Sequence, residues 1–298
     1  KIDKTPPTTT ATLSGTLGNN GWYVTNVVVT LTATDKAGGS GLSKTEYSFD
    51  GSVWNVYTAP FTLNTDGTRT IQFRSVDVAG NTETTNTQIV KIDKTAPSTG
   101  ITLTGTLVPD YGYYTSDVSV IITATDKAGG SGVKEIRYIV GSGSEVVVSG
   151  STATFTVTAQ GVTMVKYWAV DLAGNLEAQK TQEIKILKAT ASWLPPMTVK
   201  EWFKSDQTIP IKFTLKDIAT NGFVHDETVK VTVINLGPTA YTKTFTFGTG
   251  DDNVRIDDSN QLYITNWHLS DLVPLQDYKI QVEFKGIVAL TTQITVKT

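Results

Sequence analysis

The ten-residue segment Thr-Ala-Thr-Asp-Lys-Ala-Gly-Gly-Ser-Gly occurs twice without a change, at residues 32–41 and again at 123–132. Other elements recur in the same order: Lys-Ile-Asp-Lys-Thr at 1–5 and 91–95, and Asp-x-Ala-Gly-Asn-x-Glu at 77–83 and 171–177. A spacing of about 90 residues is too long for a solenoid repeat and fits a small domain. The sequence therefore predicts tandem domains over 1–91 and 92–187, and 188–298 is long enough for a third.

Composition narrows the class of protein. The 298 residues include 28 acidic and 25 basic side chains, so no excess positive charge is available for nucleic acid or an anionic membrane. The longest apolar runs are too short to span a bilayer, so we expect no membrane span. Cysteine is absent, which excludes disulfides and thiolate sites. Because the chain starts on the joint segment Lys-Ile-Asp-Lys-Thr, we expect it to be a piece of a longer polypeptide.

The pattern along each repeat predicts β-strands. β-Branched residues alternate with a period of two, and no stretch of ten or more residues has a helical period. Seven short strands separated by glycine-rich turns indicate an immunoglobulin-like sandwich. The predicted fold is all-β, with three tandem immunoglobulin-like β-sandwich domains in an extended array. In the first repeat the Asp50-Gly51 pair predicts a tight hairpin turn with positive φ at both residues. The predicted strands of this repeat are 9–17, 24–34, 44–49, 54–57, 61–63, 69–76 and 83–91.

The order of motifs also carries a resemblance. Lys-Ile-Asp-x-Thr-x-Pro, Asp-x-x-Gly-x-Ser-Gly, Tyr-Ser-x-Asp-Gly-x-x-Trp and Arg-x-x-Asp-x-Ala-Gly-Asn-x-Glu resemble the bacterial Ig-like repeats of surface-layer proteins, adhesins and multidomain glycoside hydrolases. Residues 188–298 resemble a different group, the extracellular P-x-K-F modules, through 208–217, 263–267 and 277–280. Both resemblances imply an extracellular accessory role in a bacterial cell-surface or secreted protein, and neither implies an active site.

What the resemblance implies about function is a structural spacer or adhesion stalk of a larger polypeptide. Its partners would be the neighbouring modules of the same polypeptide, cell-wall or host glycans, or lateral copies of the chain. Nothing in the sequence points to catalysis: there are two histidines, His225 and His268, and no nucleophile elbow, His-Glu-x-x-His pair or phosphate loop. Acidic doublets at 251–252 and 257–258 bracket Arg255, but loop doublets are more often solvated turns than the paired acids of a glycosidase.

Recurring acids predict a calcium site in each repeat. In an immunoglobulin topology the start of the first strand, the loop after the second and the turn between the last two share one pole of the sandwich. Several carboxylate oxygens at one point are what Ca²⁺ requires. Two readings without metal stay open: the acids form Asx turns, or Lys36 and Lys127 neutralise them. Leu187 takes the joint position of the third domain, so no such site is expected there. The candidate ligands are Asp3, Asp35, Asp77, Asn81 and Glu83 in the first repeat, and Asp93, Asp126, Asp171, Asn175 and Glu177 in the second.

Aromatic residues leave carbohydrate binding as the alternative function. Exposed rings would form a platform for sugars, whereas buried rings would belong to the core between the sheets. In that case the chain would be a carbohydrate-binding accessory region of a secreted glycoside hydrolase. The candidate rings are Trp22, Tyr23, Tyr113, Tyr114, Trp193, Trp202 and Trp267.

Overall fold

The computed structural model describes residues 2–238, 240–269 and 276–297. Every regular element in those ranges is a β-strand, which confirms the all-β prediction. Within the same ranges no helix has the length and apolar character needed to cross a membrane. The domain boundaries expected at 91 and 187 stay predictions. By compactness the chain forms two units, the first made of Lys1–Ile101, Ile122–Ala153 and Lys166–Lys180, and the second of Thr102–Ile121, Thr154–Val165 and Thr181–Thr298.

The first repeat folds as two sheets with an immunoglobulin-like strand order. Its strands are β1 (Thr8–Ser14), β2 (Trp22–Tyr23), β3 (Val27–Thr34), β4 (Leu42–Ser48), β5 (Asn55–Val56), β6 (Phe61–Leu63), β7 (Gly67–Asp77) and β8 (Asn86–Ile92). One sheet has the order β1-β3-β6 and the other the order β2-β8-β7-β4-β5. Alternate residues of the longer strands face inward, as Val27 and Val29 on β3 and Ile71 and Phe73 on β7 do. The core therefore lies between the two sheets.

Two details of this repeat differ from the sequence-based expectation. Strand β2 was not predicted: it is two residues long and pairs in parallel with the end of β8. The Asp50-Gly51 turn is not a two-residue hairpin, because β4 ends at Ser48 and only Gly51 has a positive φ, of 78°. The Asp50 carboxylate instead accepts hydrogen bonds from the backbone N–H groups of Ser52 and Val53. This Asx geometry widens the loop.

The second repeat uses the same strand order with one additional edge strand, β10. One of its sheets is β15-β12-β9, and the other is β10-β11-β17-β16-β13-β14. Tyr114 of β11 lies opposite Ile186 of β17 in a parallel pair, as Tyr23 of β2 lies opposite Ile92 of β8 in the first repeat. The strands are β9 (Ser98–Thr104), β10 (Leu107–Val108), β11 (Tyr113–Tyr114), β12 (Val118–Thr125), β13 (Val133–Val140), β14 (Val146–Ser149), β15 (Thr152–Val157), β16 (Gly161–Asp171) and β17 (Lys180–Ile186).

Residues 188–298 add a four-stranded sheet in the order β18-β20-β24-β23 and a five-stranded sheet in the order β19-β26-β25-β21-β22. Their core combines aliphatic side chains with aromatic rings: Phe213 and Tyr263 stack with centroids 5.1 Å apart, and Trp267 meets Tyr278 edge to face at 5.1 Å. Burial raises the pKa of Tyr263 to about 12. The strands are β18 (Ala189–Trp193), β19 (Trp202–Lys204), β20 (Thr208–Asp217), β21 (Lys230–Asn235), β22 (Thr242–Thr246), β23 (Arg255–Asp257), β24 (Leu262–His268), β25 (Gln276–Phe284) and β26 (Ile287–Lys297).

Candidate metal centres

Three aspartates converge at one pole of the first repeat. Asp3 precedes β1, Asp35 follows β3 directly, and Asp77 is the last residue of β7. One carboxylate oxygen from each lies within 4.8 Å of the others. Asp77 is buried, and Asp3 and Asp35 are half-buried. Three residues that are far apart in the sequence therefore present oxygen atoms to one point, and we call them the first triad.

The second repeat reproduces this arrangement. Asp93 follows β8, Asp126 follows β12, and Asp171 ends β16. Their carboxylate oxygens again lie within 4.8 Å of one another. Asp93 and Asp171 are fully buried, with 0% of their surface exposed. A buried carboxylate without a compensating positive charge is unfavourable, so this second triad is a stronger candidate for an ion than an exposed acidic cluster would be.

The repeated Asp-Lys-Ala-Gly-Gly-Ser-Gly loop wraps around these carboxylates. Asp126 Oδ2 accepts from the backbone N–H of Gly132 at 2.6 Å, and Asp93 Oδ2 accepts from that of Ser131 at 2.7 Å. A methyl group at Gly130 would lie 2.8 Å from Asp126 Oδ2 and 3.1 Å from Asp93 Oδ2. The loop therefore needs glycine at position 130 because its backbone touches two triad residues.

The predicted asparagines position the aspartates. The Asn175 side-chain amide donates to Asp171 Oδ2 at 2.7 Å and to the Asp93 backbone carbonyl at 3.0 Å. In the first repeat, the Asn81 side-chain amide donates to Asp77 Oδ2 at 2.7 Å and to the Asp3 backbone carbonyl at 3.2 Å. In both repeats the amide nitrogen thus holds the aspartates in place, and cation binding by the side-chain oxygens of Asn81 and Asn175 stays a prediction.

The predicted glutamates lie outside the triads. Glu83 N–H donates to the Ser75 carbonyl at 2.9 Å, so the turn after β7 brings Glu83 back beside Ser75, two residues before Asp77. Its carboxylate accepts from the Thr9 backbone and hydroxyl at 2.7 and 2.6 Å. Glu177 makes the same contacts with Thr99, at 2.9 and 2.8 Å. Both glutamates fasten the first strand of their repeat to the opposite sheet.

The charges around the triads are not balanced by lysine or arginine. In the part of the chain that the structure describes, none of the six aspartates forms an ion pair with either residue type. Lys127, next to Asp126 in the sequence, pairs with Asp66 at 3.0 Å instead. Burial, together with the charge of Asp93, raises the pKa of Asp171, whereas hydrogen bonds from the Thr5 and Ser40 N–H groups lower the pKa of Asp3. A hard divalent cation would offset the repulsion between the negatively charged aspartates of each triad.

The second triad also belongs to the joint between the repeats. Asp93 follows the last residue of β8, and its N–H donates to the Tyr23 carbonyl of the first repeat at 2.9 Å. An ion held by this triad would therefore connect the strand that leaves the first repeat to two loops of the second. Two further contacts join the same parts, from Asn19 N to the Ala173 carbonyl at 2.8 Å and from Asn20 Nδ2 to the Leu172 carbonyl at 2.8 Å.

The joint that follows the second repeat has an apolar residue in the corresponding place. Leu187 N–H donates to the Tyr114 carbonyl at 2.8 Å, as Asp93 N–H does to Tyr23. Its side chain is fully buried in the hydrophobic core of the second unit, with Tyr113 and Phe203 in the same cluster. The same backbone connection is thus completed by hydrophobic packing and not by carboxylates.

The acidic doublets at 251–252 and 257–258 lie on either side of Arg255 at the ends of β23, and Asp257 is the last residue of that strand. Arg255 pairs with Asp251 at 3.0 Å, and His225 Nδ1 contacts Asp258 at 3.0 Å. Hydrogen bonds from the Asn260 and Ser259 side chains lower the pKa of Asp257 to about 2. A carboxyl group with that pKa is ionised at neutral pH and cannot serve as the general acid of a glycosidase. His268 bonds the Thr208 hydroxyl at 2.8 Å.

The aromatic candidates separate by burial. Trp267 is fully buried, Tyr113 is buried, and Trp193 is half-buried against Phe213. Trp22, Tyr23 and Tyr114 are half-buried beside the joints. Trp202, with 50% of its surface exposed, lines a surface groove. The other residues of this groove are Val199, Lys200, Glu201, Lys204 and Gln207.

Comparisons with known proteins identify no family for this chain and give structural matches only at low TM-scores. No family model and no curated protein matches the chain. The fibronectin(III)-like modules of Clostridium thermocellum CbhA share 14% identity over 59% of this chain and 95% of theirs, with a TM-score of 0.29. The D00-D0 domain of intimin shares 14% identity over 60% of this chain and 100% of its own, with a TM-score of 0.31. Three N-terminal domains of the bacteriophage RB49 highly immunogenic outer capsid protein share 12% identity over 98% of this chain and 99% of their own, with a TM-score of 0.28.

Proposed function

We propose that this chain is a non-catalytic spacer or adhesion stalk of a larger extracellular bacterial protein, and that calcium bound by the two triads stiffens it. The observation that carries the proposal is the convergence of Asp93, Asp126 and Asp171 at the joint between the repeats. An ion there would connect the joint segment to two loops of the second repeat, because Asp93 directly follows β8, the strand that leaves the first repeat. Residues 188–298 are proposed to be a P-x-K-F-type extracellular module.

Calcium fits the chemistry of the triads better than other common ions. All the side-chain ligands are carboxylate oxygens, whereas zinc sites usually include histidine or cysteine. Calcium accepts six to eight oxygens in irregular geometry, so water and backbone carbonyls can complete three carboxylates. Magnesium demands a near-octahedral arrangement and keeps most of its water. Extracellular calcium modules bind with dissociation constants of about 10⁻⁴ to 10⁻³ M, which suits a protein that works outside the cell.

Thermal unfolding tests the proposal directly. Calcium at several millimolar should raise the Tm of the full chain relative to EDTA, since a ligand that binds only the folded state stabilises it by mass action. Asp126→Asn should remove the contribution of the second triad, and Asp35→Asn that of the first. Asp257→Asn, an acid outside both triads, is the matched control and should keep the full calcium response. A Tm that is the same in calcium and EDTA would contradict the proposal.

The proposed stalk also has an expected solution form. Pro7 and Pro97 follow the two Lys-Ile-Asp-Lys-Thr segments and restrict the backbone there. Short, restricted joints favour an extended array. Small-angle scattering in calcium should therefore give a rod-like particle, and a compact particle would argue against the stalk.

Carbohydrate binding is a second candidate, and it is favoured by the groove at Trp202. The half-exposed ring lies beside Glu201, Lys204 and Gln207, and Lys297 Nζ lies 5.5 Å from the ring centroid. An accessible indole next to hydrogen-bonding side chains can stack on a sugar ring. Glycan-array binding by the full chain that is lost in Trp202→Ala, but kept in Phe247→Ala at an exposed aromatic residue outside this groove, would support this role. Absence of binding to any glycan would leave the spacer role alone.

A further inference from the structure

We infer that Asp66 of the first repeat raises the calcium affinity of the second triad by holding the Lys127 ammonium group away from Asp126. The inference rests on the proposed function, because it concerns the affinity of the proposed site. It adds a residue that is not a ligand, and it makes calcium binding depend on how the two repeats are joined. The parts involved all belong to the first compact unit.

Asp66 lies in the turn between β6 and β7, and its side chain is only 3% exposed. Its carboxylate accepts hydrogen bonds from Lys127 Nζ at 3.0 Å, the Thr95 hydroxyl at 2.7 Å and the Lys94 backbone N–H at 3.3 Å. Two of these donors, Lys94 and Thr95, are the next two residues after Asp93, and the third, Lys127, is the next residue after Asp126. One carboxylate of the first repeat therefore contacts two of the three segments that form the second triad.

The charge of Lys127 makes this contact important for a cation. Lys127 N–H donates to Asp126 Oδ1 at 2.8 Å, so its side chain starts beside the triad. An ammonium group that is free to pair with Asp126 would compete with calcium and repel it. The pair with Asp66 occupies that ammonium group. Burial acts to raise the pKa of Asp66, but hydrogen bonds from Thr95 and Lys127 outweigh it and lower the pKa, so the carboxylate stays charged at neutral pH.

At the joint after the second repeat, a neutral residue, Gln160, makes the backbone hydrogen bond that Asp66 makes at the joint between the repeats. Gln160 precedes Gly161 as Asp66 precedes Gly67, at the start of the long strands β16 and β7. Gln160 Oε1 accepts from the Lys188 backbone N–H at 3.2 Å, as Asp66 Oδ1 accepts from Lys94. A neutral side chain thus completes this turn at the joint where Leu187 replaces the triad aspartate. The negative charge occurs at the joint that carries a triad and an adjacent lysine.

The first triad provides an internal comparison. Lys36 follows Asp35 as Lys127 follows Asp126. Lys36 is exposed, and within residues 2–238, 240–269 and 276–297 it forms no ion pair. Its ammonium group is therefore free to compete at the first triad. We expect the first triad to bind calcium more weakly than the second.

Calorimetric titration of the full chain with calcium chloride tests the inference. The second triad is measured in an Asp35→Asn background and the first triad in an Asp126→Asn background. Asp66→Asn should weaken calcium binding at the second triad by roughly fivefold, the lower end of typical couplings between sites, and leave the first unchanged. Lys127→Met should not weaken the second triad, and Asp66→Asn with Lys127→Met should restore its affinity. Far-UV circular dichroism and melting in EDTA check that each variant is folded.

The outcomes are distinguishable. Equal weakening of both triads by Asp66→Asn, unchanged affinity, or failure of Lys127→Met to restore binding would each overturn the inference and leave calcium binding intact. If Asp66→Asn does not fold, Lys127→Met still decides, because a weaker second triad in that variant contradicts competition by the lysine. Absence of calcium binding by the unmodified chain would overturn the proposed sites and this inference together.

Discussion

The side-chain amide of Asn175 donates a hydrogen bond to Asp171 Oδ2 at 2.7 Å, while the Asn175 backbone N–H donates to Asp171 Oδ1 at 2.7 Å. Both carboxylate oxygens are thus held by one residue four positions later. The same amide reaches the backbone carbonyl of Asp93 at 3.0 Å, so it links the turn after β16 to the joint strand. Asn81 has the equivalent position in the first repeat. The Ala-Gly-Asn turn is therefore a device for orienting two aspartates.

Asn175→Ala should lower the free energy of unfolding by about 1–3 kcal/mol, because it leaves a buried carboxylate oxygen and a carbonyl without their donor. It should also weaken calcium binding at the second triad, since Asp171 loses its orientation. Chemical denaturation with and without calcium measures both effects. Asn260→Ala, which removes an amide from an exposed Asp257 turn, is the control and should change calcium binding at neither triad. An Asn175→Ala chain with full calcium affinity would show that orientation is unimportant.

Gly130→Ala should impair the second triad through sterics alone. The added methyl group would lie 2.8 Å from Asp126 Oδ2, and the oxygen can move only by leaving the hydrogen bond with Gly132. We expect roughly tenfold weaker calcium binding and a loss of about 1–3 kcal/mol of stability. Gly100→Ala is the matched control, because its methyl group would meet Thr123 at an ordinary 3.7 Å. Equal calcium affinity in the two variants would contradict this steric role.

Glu177→Gln separates structural from metal-binding acids. Glu177 accepts from Ala169 N–H and pairs with Lys180 at 2.7 Å, so its neutral replacement should cost about 1–3 kcal/mol at neutral pH. Burial acts to raise the pKa of Glu177, but hydrogen bonds from Lys180 and Thr99 outweigh it and lower the pKa. The stabilisation is therefore present above the unfolded pKa of 4.5 and lost as the pH falls through the folded value. Calorimetry should show unchanged calcium affinity, and a large drop in affinity would return Glu177 to the ligand set.

Asp171 should give the opposite pH dependence in the calcium-free chain. Burial raises its folded pKa above the ordinary 3.8, so the folded state binds this proton first as the pH falls. Its contribution to the free energy of unfolding should therefore increase on acidification toward 3.8 and decrease as the pH rises through the folded pKa. Urea unfolding in EDTA at several pH values, compared with Asp171→Asn, isolates this contribution. Calcium should reverse the trend, because a bound cation favours the carboxylate. Parallel pH profiles for the two chains would argue against a desolvated charge at Asp171.

The sequence predicted some strands and turns of the fold correctly and missed others. The alternation of Val27, Val29 and Leu31 predicted a buried face, and β3 has that face. Strand β2 escaped prediction because two residues carry no periodic signal, and its parallel partner β8 lies far along the chain. The Asp50-Gly51 turn was predicted too tight, because a side chain competes there with the backbone for hydrogen bonds.

The sequence likewise predicted some residues of the candidate site correctly and missed others. Sequence position alone placed Asp93, Asp126 and Asp171 at one pole, because immunoglobulin topology brings those three segments together. It also placed Glu177 there, although the turn returns that residue to the level of Ala169. The partner of Lys127 was out of reach, since Asp66 is about 60 residues away and belongs to the other repeat.

The sequence by itself determined that this is a duplicated β protein with acids at recurrent positions, because local periodicity and exact repetition are written in the order of residues. Only the tertiary structure decided which aspartates lie together, which glutamates bind threonines outside the triads, and which lysine pairs with Asp66. Those outcomes depend on side-chain direction and on contacts between distant segments, which follow from how strands pair and turns return. The repeated Asp-Lys dipeptide is the clearest case: among the residues that the structure describes, Lys36 has no ion pair, whereas Lys127 pairs with Asp66.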